Sequence, residues 1–170
     1  TLIVYLPLFL LMLYFVNYKP VKANMTLTRA LSDDTLTMQQ RVDLFDGAID
    51  KKTYGSPEYR QQYFTFFNDL LANGYNDSGM LNKIAADVRQ RLKDQVNENP
   101  FSIANYLMLL RFNNISYGDD VSRLYENFEL FDKGVKISPT RQQVYFENGY
   151  SHFNLAIYLR KNGKDGVDEH

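Results

Sequence analysis

The chain has no cysteine. That removes a disulfide framework, a thiolate metal site and a thiol nucleophile together. It does not fix the compartment, because helical repeat domains need no disulfides. Histidine is nearly absent too, with His152 and the terminal His170 the only two. No charge of one sign dominates: 19 Lys and Arg stand against 20 Asp and Glu, for a net charge of -1 and a pI of about 6.1. That balance argues against a broad basic surface for nucleic acid. Phosphate-cradling G-x-x-x-x-G-K-[ST], dinucleotide-type G-x-G-x-x-G, zinc-binding H-E-x-x-H and the nucleophile elbow G-x-S-x-G are all missing. What is present is a chain of 170 residues, 45% hydrophobic and 23% charged, enough for an ordered domain of ordinary size.

The first 16 residues, TLIVYLPLFLLMLYFV, carry no charge. As a helix they cover about 24 Å, somewhat short of the ~30 Å hydrocarbon core of a bilayer. The chain opens inside this run, at Thr1 rather than Met, so it reads as the end of a larger protein with the missing turn expected upstream. Tyr14, Tyr18 and Lys19 stand where interfacial anchors belong, and Pro7 is tolerable in a membrane helix. We read residues 1–18 as a transmembrane helix and 19–35 as a juxtamembrane connector. A buried core helix competes, as does a signal peptide ending at Val21-Lys22-Ala23, which would leave Asn24 as the mature N-terminus. Lys19, Lys22 and Arg29 follow the run, a cytoplasmic signature under the positive-inside rule; one flank alone leaves the side of the membrane open.

Beyond Asn24 the apolar period is helical. Met38, Val42, Phe45 and Ile49 form one stripe, and Tyr59, Tyr63, Phe66 and Leu70 the next. Leu81, Ile84, Val88, Leu92 and Val96 form a third, and Val121, Leu124, Phe128, Phe131 and Val135 a fourth. A lone amphipathic helix does not stay folded, so each stripe needs a partner. Ser56-Pro57, Asn99-Pro100 and Ser138-Pro139 read as helix starts, Asp77-Ser78 and Asp119-Asp120 as further N-caps. Asn73-Gly74 and Asn162-Gly163 read as helix stops. Helices are expected near 24–32, 36–51, 57–73, 79–97, 101–115, 119–136 and 140–160, with short links that make successive helices antiparallel neighbours. The segment Leu44-Phe45-Asp46-Gly47-Ala48-Ile49 is echoed by Leu130-Phe131-Asp132-Lys133-Gly134-Val135, and Pro100 and Pro139 lie one helical-hairpin repeat apart. The fold class is all-α: one transmembrane helix, then a helical repeat domain over 36–170.

Phe131-x2-Gly134-x4-Pro139 resembles the second helix and terminal proline of a tetratricopeptide repeat. Phe45-x2-Ala48 matches the same helix, and Tyr145-x3-Gly149 resembles the first helix of the next repeat. Phe45, Ala48, Phe131, Gly134, Pro139, Tyr145 and Gly149 are therefore the expected repeat-packing residues of an α-solenoid. Asn127, Asn148 and His152 depart from the pattern. Asn17-Tyr18-Lys19-Pro20, Thr26-Leu27-Thr28-Arg29-Ala30-Leu31, Phe45-Asp46-Gly47-Ala48-Ile49 and Thr53 to Gln62 after a membrane helix are similar to the C-terminal part of bacterial O-antigen ligase or polymerase-like membrane proteins. That resemblance implies a plasma-membrane parent that transfers lipid-linked glycan, with a tetratricopeptide-type tail. The catalytic residues of that family lie in loops that this chain does not include, so none is carried over.

Site chemistry is correspondingly sparse. His152 reads as a packing or capping histidine, since Glu147 lies off its face. Glu126 and Glu129 read as a solvated helix face, and no spaced calcium loop accompanies them. Thirteen Tyr and twelve Phe are many for this length. Most must be core, but Tyr54, Tyr59, Tyr63, Phe64 and Phe67 are dense enough to line a groove for a peptide or a sugar face. Asn24, Asn76 and Asn114 begin triplets of the N-glycosylation type. No cofactor or metal is expected. The expected partners are membrane lipid and either a protein or a lipid-linked glycan, with a stand-alone membrane-anchored scaffold as the alternative role.

Overall fold

A computed structural model describes residues 2–118 and 120–163, with side chains from residue 5 onward. Expectations placed on Thr1, Asp119 and His170 lie outside these. All regular structure among the described residues is helical: α1 (Leu2–Leu13), a π turn (Tyr14–Tyr18), α2 (Lys19–Ser32), α3 (Met38–Ile49), α4 (Ser56–Ala72), α5 (Ser78–Glu98), α6 (Ile103–Ser116), α7 (Ser122–Ile137) and α8 (Gln142–Lys161). Two compact units divide the chain, Thr1–Ile84 and Ala85–His170, so the boundary runs through α5 and inside the domain expected over 36–170.

From α3 onward the helices lie within a few residues of the stretches expected from periodicity; their ends differ in instructive ways. Ser56 and Pro57 occupy the first turn of α4, but the residue before them is Gly55 and no side chain caps the helix. Asn99-Pro100 and Ser138-Pro139 do not start helices. Each lies in a link, and the helix begins at Ile103 and at Gln142 respectively. Proline fixes its own φ and restricts its predecessor, which suits a link as well as a first turn. Thr37 supplies a full capping box: its side chain accepts from the Gln40 N–H, and Gln40 returns a bond to the Thr37 N–H. Asp77 Oδ1 accepts from the Met80 N–H at 2.9 Å. At the end of α4, Gly74 has φ +67°, with Tyr75 N–H bonded to Leu70 O and Gly74 N–H to Leu71 O. This is the left-handed stop that only glycine makes without strain.

In unit 1, α2 buries Pro20, Ala23, Leu27 and Ala30, one helical stripe, and packs against α3. Small residues at two of these positions let the helices approach. Arg41 of α3 closes the joint: its guanidinium donates to Ala30 O at 3.1 Å and to Asp33 O at 2.9 Å. Ala30 O lies in the last turn of α2, where carbonyls lack intrahelical partners, and Asp33 O, at the C-cap, also takes the Leu36 N–H; the cation thus meets the negative end of the helix dipole. Next, α3 packs against α4, where Phe45 stacks on Tyr63 at 4.6 Å and meets Phe66 at 5.1 Å.

In unit 2, α6 is the central helix. It touches both α7 and α8, which also touch each other. Its buried residues Tyr106, Leu107, Leu109, Leu110 and Phe112 surround the axis, as a helix enclosed on several sides requires. Gly134 of α7 is buried, and a Cβ there would stand 3.2 Å from Ile103 Cδ1 and 3.4 Å from Val144 Cγ1. A side chain at that point would push against both α6 and α8.

Candidate functional site

Two surfaces and one interior network stand out. The first surface is the N-terminal segment. From Tyr5 to Val16 every large apolar side chain is between 39% and 65% exposed, on all faces of α1 and into the π turn. A water-facing helix alternates its character; this one does not. Tyr14 and Tyr18 stack at 5.6 Å, and Lys19 and Lys22 place their ammonium groups 5.5 Å from the Phe15 and Tyr18 rings. Among the described residues, no helix is long and apolar enough to cross a membrane. The expected span is not found as one helix: α1 has 12 residues, about 18 Å of rise. Its apolar character ends in the π turn, and the helix beyond is polar and packed on α3.

The aromatic groove expected in α4 is corrected by the structure. Tyr54 is 79% exposed, but Tyr59, Tyr63, Phe64 and Phe67 are buried. Their rings fill two adjacent rows of α4, so the helix is enclosed over a broad arc and no open groove joins them. Tyr59 spends its polar tip inside unit 1, donating to Asn24 Oδ1 at 2.7 Å. Of the repeat-packing residues, Phe45, Ala48 and Gly134 are buried, Phe131 is half-buried, and Pro139, Tyr145 and Gly149 are exposed. Phe131 meets the Tyr145 ring edge-on at 5.5 Å, and the Tyr145 hydroxyl donates to Pro139 O at 2.7 Å.

The interior of unit 2 holds a polar network that periodicity alone does not reveal. Asn127 is fully buried and donates toward Ser151 Oγ at 2.9 Å and Asn114 Oδ1 at 3.1 Å. Asn113 donates to Asn127 Oδ1 at 3.0 Å and to Glu126 at 3.1 Å. Asn114 donates to Glu147, whose carboxylate also takes the Arg111 guanidinium at 2.9 Å. Glu147 is buried, so its charge requires those partners. Asn114 is buried as well and unavailable as a glycan acceptor in the folded chain. Asn127, a departure from the repeat pattern, is thus the hub that bridges α6, α7 and α8.

Glu126 is no solvated carboxylate. Arg89 pairs with it, and Lys93 stands 2.8 Å away. Burial alone would raise its pKa, but the Lys93 hydrogen bond, the two cationic charges and Asn113 together hold it below the ordinary value. Glu129 is exposed. A cavity of about 420 Å³ adjoins this cluster, lined by residues that include Lys93, Asn97, Tyr106, Glu126, Leu130 and Lys133. Its mixed lining suits holding a polar molecule. Among the described residues no cluster could hold a metal ion. His152 lies on the Phe128 ring, centroids 4.5 Å apart, a packing contact.

The second surface is the outer side of α8, where Phe146, Tyr150 and Phe153 stand exposed. A scan against protein families matches no family model, and no curated protein and no solved structure is significantly similar to the chain.

Proposed function

We propose that this chain is a membrane-tethered helical interaction module: α1 seats in lipid and the helical hairpins hold a partner beside the bilayer. The observation that carries this reading is the all-round exposure of large apolar side chains from Tyr5 to Val16. Water disfavours such a surface by about 25 cal/mol for each Å², and lipid removes that cost. Tyr14, Tyr18, Lys19 and Lys22 follow, the residue types that settle at a bilayer interface. Arg41 and the α2–α3 packing couple this segment to folded structure, so whatever the hairpins hold is kept near the membrane at raised effective concentration.

The resemblance to the tails of O-antigen ligase or polymerase-like proteins supports a role beside a transferase of lipid-linked glycan in the bacterial plasma membrane, with the hairpins arranged as a tetratricopeptide-like solenoid. The reading frame upstream of Thr1 separates that role from a stand-alone scaffold: further membrane spans support the transferase, a start codon directly before Thr1 the scaffold.

The test of the tether is flotation of the full chain with phosphatidylcholine vesicles. The chain is expected to float, and a variant carrying Leu6→Asp, Phe9→Asp and Met12→Asp to stay at the bottom of the gradient. A parent chain that remains below the vesicles ends the proposal.

A further inference from the structure

On its inner side α8 buries Val144, Glu147 and Ser151, the last two within the Asn114–Asn127 network. On its outer side Phe146, Tyr150 and Phe153 are 67%, 60% and 62% exposed. Steps of four and three set these rings in one row along the helix. Gly149 lies beside the row, and a Cβ there would meet nothing within 4 Å. A surface helix ordinarily exposes polar side chains, so this row of rings suits an apolar cover.

Charge decides between occupants. From Gln142 to Lys161 the sole carboxylate is Glu147, which is buried and paired with Arg111. The exposed charges of α8 and its N-cap are Arg141, Arg160 and Lys161, all cationic. Residues 164–170, which include Asp165, Asp168 and Glu169, lie outside the described residues. A second copy docked through the same row sets cation against cation in either direction. Antiparallel helices bring Arg141 to Arg160 and Lys161; parallel ones bring each to itself. An anionic bilayer surface matches both features at once, since rings settle at the headgroup boundary and Arg and Lys bind phosphate.

We propose that the outer face of α8 lies on an anionic lipid surface, Phe146, Tyr150 and Phe153 dipping below the headgroups and Arg141, Arg160 and Lys161 meeting the phosphates. This rests on the reading that the chain works at a membrane, and adds a second, charge-dependent contact in the other unit.

The chain has no tryptophan, so single-tryptophan variants of the full chain report each contact separately. Phe153→Trp reports α8 and Phe9→Trp reports α1, in vesicles of phosphatidylcholine with or without phosphatidylglycerol, tails plain or brominated. Bromine is expected to quench the Phe153→Trp variant only where phosphatidylglycerol is present. That quenching should fall with added salt, and with Arg141→Gln, Arg160→Gln and Lys161→Gln together. Quenching of the Phe9→Trp variant should be indifferent to both changes. An unquenched Phe153→Trp variant beside a quenched Phe9→Trp variant overturns the α8 proposal and leaves the tether standing; equal quenching in neutral vesicles overturns it too. A lipid-free chain whose mass by light scattering is that of a dimer, with the Phe153→Trp emission already blue-shifted, assigns the face to a second copy and likewise overturns it. An unquenched Phe9→Trp variant sinks the tether itself.

Discussion

At the residue scale, the same ring has different worth in different places. Phe45 is fully enclosed by Tyr63 and Phe66. Its replacement by alanine removes apolar contact and leaves a void, so Phe45→Ala is expected to cost about 3–5 kcal/mol. Phe131 occupies the echoed position in α7 but is half-buried, its main aromatic contact the edge of Tyr145. Phe131→Ala should cost less, about 1–2 kcal/mol. Denaturant titration of both variants, followed by circular dichroism, checks the order; equal losses would show that the ring in α7 is as enclosed as that in α3. The resemblance between the two segments is a matter of letters, whereas burial depends on what the neighbouring helices supply. The polar side chains carry the same lesson. Asn127 stands in a stripe and looks like an error of pattern, yet it satisfies partners from two other helices.

At the element scale, local chemistry sets where helices begin and stop, and it was readable where the signal is a side chain acting on its own backbone. Asn73-Gly74 and Asp77 act in this way. The Thr37–Gln40 capping box carries the same kind of signal, and it starts α3 at Met38, two residues after the expected 36. Thr37→Ala should destabilise α3 by about 1 kcal/mol, as loss of an N-cap does, and because α3 carries Arg41 the same change should speed amide hydrogen exchange at the end of α2. Unchanged exchange there would mean that the clamp does not depend on the cap. Of the proline pairs, Ser56-Pro57 does open α4, whereas Asn99-Pro100 and Ser138-Pro139 misled because proline is at home both in a first turn and in a link. The N-terminal run is apolar through α1 and the π turn, and among the described residues no helix is long and apolar enough to cross a membrane.

At the scale of the molecule, Glu126 ties three helices together through Arg89 and Lys93 of α5 and Asn113 of α6. Its pKa is lower folded than unfolded, so its contribution is fully present above the ordinary carboxylate range and is lost as pH falls through its depressed folded value. Glu126→Gln is expected to cost about 1.5–3 kcal/mol at neutral pH and to lose less stability on acidification than the parent. Denaturant midpoints measured at neutral and acid pH test this; parallel losses in both proteins would remove Glu126 from the acid response. By itself the sequence determined that the chain is helical, where most helices lie and that its first segment is apolar, because these follow from the spacing of side chains along one backbone and from local capping. Only the tertiary structure decided that Phe64 and Phe67 join Tyr59 and Tyr63 in the core, that Asn113, Asn114, Asn127 and Glu147 are buried among the apolar side chains of unit 2, and that α8 turns Phe146, Tyr150 and Phe153 outward. Each of these depends on which side chains other helices bring to the same place, and pairing across helices leaves no period in a single sequence.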